Sequence, residues 1–152
     1  MDFAARRRAG FIGAMQSNGL HPDEALLFSD EMTEPNGHRA ACEMLDAPEP
    51  ATAVIASSII PAMGVKRAVE DRGLVVGKDV SIICFDDEIS YLPNGRGDPI
   101  FTAARSSVRA AGRRCAEILL EQIMLGTTHI ETELWEADLV LGQSTGPVPT
   151  QN

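Results

Sequence analysis

Two short apolar runs and the helical stretch between them limit this chain to few folds. Residues 51–57 read ATAVIAS and residues 80–85 read VSIICF; neither alternates polar with apolar, which is the pattern of strands covered on both faces. Between them Ser57 and Ser58 can cap a helix running to about Arg72, with Pro61 tolerated in its first turn and Gly73 closing it. A strand, a helix of ten or more residues and a second strand make a βαβ unit, and that unit implies a parallel sheet.

The alternation continues on both sides. Residues 3–18 read as a helix, with Phe3, Ala4, Phe11, Ile12, Ala14 and Met15 interleaved with arginines and polar residues, and Gly19 ends it. Residues 25–28 (ALLF) form a short run expected to be buried. Residues 34–45 return to helical character, Ala40, Ala41, Met44 and Leu45 falling on one side, until Pro48 and Pro50. After the turn-rich YLPNGRGDP, residues 100–104 read as a weak strand. Residues 106–126 give the strongest helix pattern, with Val108, Ala111, Cys115, Ile118, Leu119 and Ile123 on one face. Residues 134–141 form a last strand before the polar tail GQSTGPVPTQN, expected to fray. The fold class is α/β, a parallel sheet flanked by helices. At 152 residues the chain fits one domain and can bury roughly 70% of its unfolded surface without a metal or disulfide.

Charge excludes one class of partner. The net charge is -9, from 22 acidic against 13 basic side chains, so these residues alone should not hold DNA, whose affinity comes mostly from Lys and Arg on phosphates. The basic run Arg6-Arg7-Arg8 is too short for a nucleic-acid footprint and reads first as a solvated helix face. Cys42, Cys84 and Cys115 form no Cys-x-x-Cys pair and have no histidine at zinc-ligand spacing. They are expected to be buried free thiols in a reducing compartment, and His21, His38 and His129 surface residues. No apolar segment is long enough to span a membrane, and the expected location is the cytoplasm.

The VSIICF run passes directly into Asp86-Asp87-Glu88. In open parallel sheets ligands bind outside the carboxyl ends of the strands, so this acidic cluster stands where a ligand site is expected. An aspartate there can instead bond backbone amides of the following turn. An acidic magnesium site for phosphoryl transfer is an enzymatic alternative, because hard cations want clustered oxygens. It fits poorly, since no suitably placed lysine and second acid follow. There is no GxSxG elbow, P-loop or GxGxxG turn.

The stretch ATAVIASSIIPAMGVKRAVEDRGLVVGKDVSIICFDD resembles the effector-domain core of the LacI/GalR family of transcription regulators. That family's pattern is an apolar strand, a polar pair, a helix beginning near MAMG, then RGL, DVS and GFDD. RRRAGFIGAM, NGHRAACEMLD, VRAAGRRCAEILLEQIMLG and the ending LVLGQST resemble its flanking helices and closing strand, in order, over nearly the whole chain. The resemblance implies a type I periplasmic-binding-protein-like fold in a cytoplasmic sensor of a small molecule, most often a sugar or its phosphate. It implies a chain starting at the first helix of the second subdomain, truncated, with the helix-turn-helix and most of the first subdomain absent. Residues 1–143 would then be effector-binding and 144–152 a tail, while the helix over 106–126 belongs with the absent subdomain and leaves an apolar face for a homodimer or swapped assembly.

Carried over residue by residue, the resemblance assigns effector contact to Arg7, Asp86, Met32, Ser58 and Ser106. Arginine offers a fixed fork of donors to hydroxyls, carboxylates or phosphates, and a carboxylate accepts from adjacent sugar hydroxyls. Asp87 and Glu88 are expected to face solvent or cap the next turn, and Cys84, standing for the motif's glycine, to narrow the site's floor. Met32 stands where the family often stacks an aromatic, and Ile59 where it usually has an aspartate. No catalytic residue, metal or cofactor is implied. A sugar-binding protein of a transporter shares the fold and is the other reading; the DVS and FDD wording and the GQST ending favour the regulator.

Overall fold

The computed structural model describes residues 2–89 and 91–148. Ser90, in the acidic segment, and residues 149–152 of the polar tail lie outside the described residues. Helix α1 (Asp2–Ser17) leads to a single 3-10 turn (Glu24–Leu26), then α2 (Glu34–Leu45), β1 (Ala53–Ala56), α3 (Ile59–Glu70), β2 (Ser81–Asp86), β3 (Thr102–Arg105), α4 (Val108–Leu125) and β4 (Asp138–Val140). Side-chain caps and a glycine set the helix ends. Thr33 accepts from the Asn36 N–H at the start of α2, Ser107 accepts from Ala110 N–H at the start of α4, and Gly126 closes α4 in the left-handed conformation at φ 63°.

The sheet runs in the order β1-β2-β3-β4. β1, β2 and β3 are parallel, with Ile55 opposite Ile83 and Asp86 opposite Arg105. The expectation of a wholly parallel sheet needs one correction: β4 is antiparallel to β3, pairing Asp138 with Arg105 and Val140 with Ala103. Helix α4 buries none of its residues. It does not lie back along the sheet, so the chain reaches β4 from the end where β3 finished.

Helix α3 lies on β1 and β2, and α2 packs on α3. Ala62, Val65, Ala68 and Val69 of α3 meet Val54, Ala56, Ile82 and Cys84 in one buried cluster. Only this face of β1 is covered. Ile55, on the other face, is 62% exposed, so β1 is not the doubly covered strand its composition implies. The 25–28 run is corrected as well, because residues Glu24–Leu26 form an exposed 3-10 turn with no buried residue.

Two glycines set the helix–helix distance. A Cβ on Gly64 would stand 2.0 Å from Glu34 O and 2.5 Å from His38 N, and one on Gly37 would stand 2.2 Å from Pro61 O. The two backbones are in contact, which only hydrogen at Cα permits. The polar tail is better anchored than its composition suggests. Ser144 is 1% exposed, accepts from Thr102 N–H at 2.9 Å and donates to Ile82 O, while its own carbonyl accepts from Ile82 N–H at 2.8 Å. One serine thus bridges β2 and β3 and holds the chain to the sheet at residue 144. Among the described residues no helix is long and apolar enough to cross a membrane.

Gly64→Ala forces a methyl against the α2 backbone and is expected to cost about 1–3 kcal/mol or more of stability, read from the urea midpoint. An unchanged midpoint would show that α2 sits looser on α3 than this geometry.

Candidate functional site

The β1-α3-β2 unit delivers two chain segments to the same end of the sheet. β1 runs out into Ser57-Ser58, where α3 begins, and β2 runs out into Asp86-Asp87. Along β2 the side chains alternate: Ile82, Cys84 and Asp86 are buried under α3, and Phe85 points to the opposite face. On that opposite face Arg7 of α1 stacks its guanidinium 3.8 Å from the centre of the Phe85 ring and 5.1 Å from that of Phe3. Arg7 Nη1 donates to Ser57 O at 2.6 Å, and Nη2 lies 3.5 Å from Asp87 Oδ1. Ring face, carbonyl and carboxylate together fix the plane and position of the cation.

The three acids part company. Asp86 is 4% exposed; its Oδ1 accepts from Glu88 N–H at 2.8 Å, and its backbone carbonyl accepts from Ser106 N–H at 3.0 Å. Asp87, expected to face solvent or cap a turn, instead turns to Arg7. Glu88 takes a positive φ of 52° and reaches towards Arg105, 4.0 Å away. Carboxylates engaged by an amide and two different arginines are not gathered for one cation, and among the described residues no group of three or more His, Cys, Asp or Glu side chains is placed to hold a metal.

Ser58 is 3% exposed, and its hydroxyl has no hydrogen-bond partner among the described residues. It is the N-cap of α3 by position but its side chain makes no cap bond. A buried hydroxyl left unpaired costs free energy. It lies next in sequence to Ser57, whose carbonyl accepts from Arg7. Ser106 joins through its backbone bond to Asp86. Met32 stands exposed before α2, and none of these interactions includes it. Cys84 sits in the core below Asp86, where burial, then the Asp86 charge, pushes its thiol up to about 12.

Structure thus brings Arg7, Asp86, Ser106 and the Ser57–Ser58 pair to one end of the sheet and adds Phe85 and Asp87, which the sequence reading did not assign. A signal for Phe85 was present. Strand alternation puts Phe85 on the face opposite Cys84, and Phe3 precedes Arg7 by four residues, one helical turn.

Residues 2–145 match the family described as periplasmic binding protein-like domain. The HTH-type transcriptional regulator AglR of Rhizobium meliloti (strain 1021) is 39% identical over 152 residues, covering 100% of this chain and 43% of that protein. The HTH-type transcriptional repressor CytR of Escherichia coli (strain K12) is 28% identical over 144 residues, 94% of this chain and 41% of that protein. Among solved structures, a LacI family transcriptional regulator from Enterococcus faecium with bound ribose superposes with a TM-score of 0.77 at 25% identity, over 93% of this chain and 51% of that one. The transcriptional regulator CelR in complex with cellobiose gives 0.78 at 26% identity, over 92% of this chain and 42% of that one. The chain therefore belongs to the periplasmic binding protein-like domain family, the portion it shares with these LacI-type regulators. It spans less than half the length of the curated relatives just described, a transcriptional regulator and a transcriptional repressor.

The Cys84 thiol has a pH consequence. The unfolded chain releases that proton from about pH 9, while the fold holds it to about 12, so its contribution to stability is complete below pH 9 and is lost as pH rises through that window. Cys84→Ala should flatten the alkaline loss of stability relative to the parent. Equal alkaline slopes for the two proteins would show that Cys84 is not held protonated by the fold.

Proposed function

We propose that this chain senses a small polyhydroxylated effector, a sugar or sugar derivative, for a LacI-type transcription regulator acting in the cytoplasm. The observation that carries the reading is the fixed guanidinium of Arg7, locked between Phe85, Ser57 O and Asp87 at the carboxyl ends of β1 and β2. A planar fork of donors beside the Asp87 carboxylate offers both donors and an acceptor to sugar hydroxyls. The ring of Phe85 supplies an apolar surface next to them. Asp86 serves from below by shaping the turn that aims Asp87, and Ser106 by closing the turn after β3. Met32 is proposed as a wall on the far side of the ligand. This is binding without chemistry, and no catalytic role is assigned. The ribose and cellobiose carried by two relatives of the same fold support the ligand class.

DNA contact in such a regulator would fall to residues outside this chain, as the net charge of -9 requires. The same division explains α4. Val108, Leu119, Leu120, Ile123, Met124 and Leu125 are all exposed along it, a face that suits the other subdomain of a two-part binding protein. In this chain by itself that face is proposed to drive a homodimer or swapped assembly.

Thermal unfolding against pentoses, hexoses, disaccharides and sugar phosphates tests the sensor. A ligand at about a hundred times its dissociation constant adds about 2.7 kcal/mol; one compound should raise the midpoint, and Arg7→Ala and Asp87→Asn should abolish the shift. No shift from any compound, with the protein folded, would remove the sugar reading. Light scattering at micromolar concentration should give a species larger than the monomer, and a clean monomer would refute the assembly through α4.

A further inference from the structure

The seam between α2 and α3 carries a second cluster of reactive groups, remote in sequence from the Arg7 site. Cys42 and His38 are one turn apart on α2, with Cys42 Sγ 3.7 Å from His38 Nδ1. His38 Nε2 lies 2.9 Å from Asp71 Oδ2 at the end of α3. Next to Asp71, Arg72 directs Nη1 at Cys42 Sγ, 3.3 Å away. Arg72 is itself held rigidly. Its Nε and Nη2 fork onto the two oxygens of Asp46 at 3.0 and 2.6 Å, and Nη1 also donates to Ala68 O at 3.0 Å. Neither the expected surface histidine nor the expected buried thiol describes this arrangement: His38 and Cys42 are both half-buried.

The hydrogen positions follow from the partners. A carboxylate only accepts, so the nitrogen facing Asp71 carries the hydrogen and Nδ1 turns a lone pair to the thiol. That is the order of groups in which a base withdraws the proton of a sulfur nucleophile and an acid orients the base. When the proton passes to Nδ1, the sulfur lies between the His38 ring and the Arg72 guanidinium, 3.7 Å from the one and 3.3 Å from the other.

We propose that Cys42 is a nucleophilic thiol and a modification site, reacting with hydroperoxides to give a sulfenic acid. In that step the sulfur attacks one peroxide oxygen, the S–O bond forms and the O–O bond breaks. Sulfur is oxidised by two electrons and the peroxide reduced, and the thiol proton, relayed by His38, leaves with the departing alkoxide as an alcohol, or with hydroxide as water when the oxidant is hydrogen peroxide. The new oxygen is an acceptor within reach of Arg72, whose Nη1 already points at the sulfur.

The three cysteines supply their own controls, because exposure and chemistry rank them differently. Cys115 is exposed on α4, Cys42 intermediate and Cys84 buried, so in the monomer access alone would modify Cys115 first. The rates are compared at a dilution where light scattering shows the monomer, because assembly through α4 would cover Cys115. The purified protein is treated with a small excess of hydrogen peroxide in the presence of dimedone, which traps sulfenic acids, and the adducts are assigned by peptide mass spectrometry. Cys42 should label severalfold faster than Cys115, and Cys84 should stay unlabelled. His38→Gln should slow Cys42 severalfold and leave Cys115 unchanged. Faster labelling of Cys115 than of Cys42, or an unaltered Cys42 rate in His38→Gln, would overturn the proposal. Should the variant unfold, Cys84 will label and reveal it, and the order of Cys42 and Cys115 in the parent protein then decides alone.

Discussion

The contact between the backbones of α2 and α3 is the constraint on which the rest of this structure rests. Gly37 and Gly64 let the helices touch, and the shared layer then presses Ala62, Val65 and Val69 onto β1 and β2. With α3 fixed there, its first turn must begin over the end of β1, and β2 must finish beside it. The placement of Ser58 and of Asp86 is thus a consequence of helix packing. Three pairs stitch the same seam, Arg67 with Glu34, Arg72 with Asp46 and His38 with Asp71. Such largely exposed pairs each contribute little stability, because solvent screens them and ordering two long side chains costs entropy. They select the register of α2 on α3, and their proximity to Cys42 gives the seam its chemical character. The guanidinium of Arg72 is held above its ordinary range first by its hydrogen bonds to Asp46, then by that to Cys42.

At the ligand end the energies are small and the geometry counts for more. A cation over an aromatic ring contributes about 0.5–1 kcal/mol when exposed and about 2 kcal/mol when desolvated, and the partly exposed Arg7–Asp87 pair adds less. Those interactions hold α1, whose described residues include none that is fully buried, against the carboxyl end of the sheet. They also remove rotamer freedom from Arg7, which in the proposed sensor would lower the entropy cost of recognition. A buried Asp86 that accepts the Glu88 amide makes the turn in which Asp87 meets Arg7. One aspartate builds and the next one faces outward.

The fold was legible because its determinants are local. Apolar runs, the Ser57-Ser58 pair before α3, and stops at Gly19, Pro48 and Gly73 locate the helices and strands to within a few residues. What the sequence could not fix depends on what lies above each element. The composition of residues 51–57 suggests cover on both sides, yet Ile55 is open, since strand composition records no neighbour's absence. The direction of β4 depends on α4 standing off the sheet, and the anchoring of Ser144 on hydrogen bonds to residues some sixty positions away. At the site, Arg7 and Asp86 could be marked from motif and strand end. The exchange of roles between Asp86 and Asp87 could not, because it turns on which of two adjacent carboxylates meets the amide of Glu88. His38 and Cys42 looked inert for a similar reason: their partners Asp71 and Arg72 come from another helix.

The measurement closest to the central claim is the NMR spectrum of the arginine Nε–H groups, with Arg7 assigned by its loss in Arg7→Lys. A guanidinium 3.8 Å over Phe85 should give a ring-shifted, narrow resonance in the free protein, and titration with ribose and cellobiose should move that resonance while Arg72, at the other seam, stays still. An Arg7 signal at the position of a free arginine, or one that neither sugar moves in a folded protein, would contradict a preformed sugar site at the carboxyl end of the sheet.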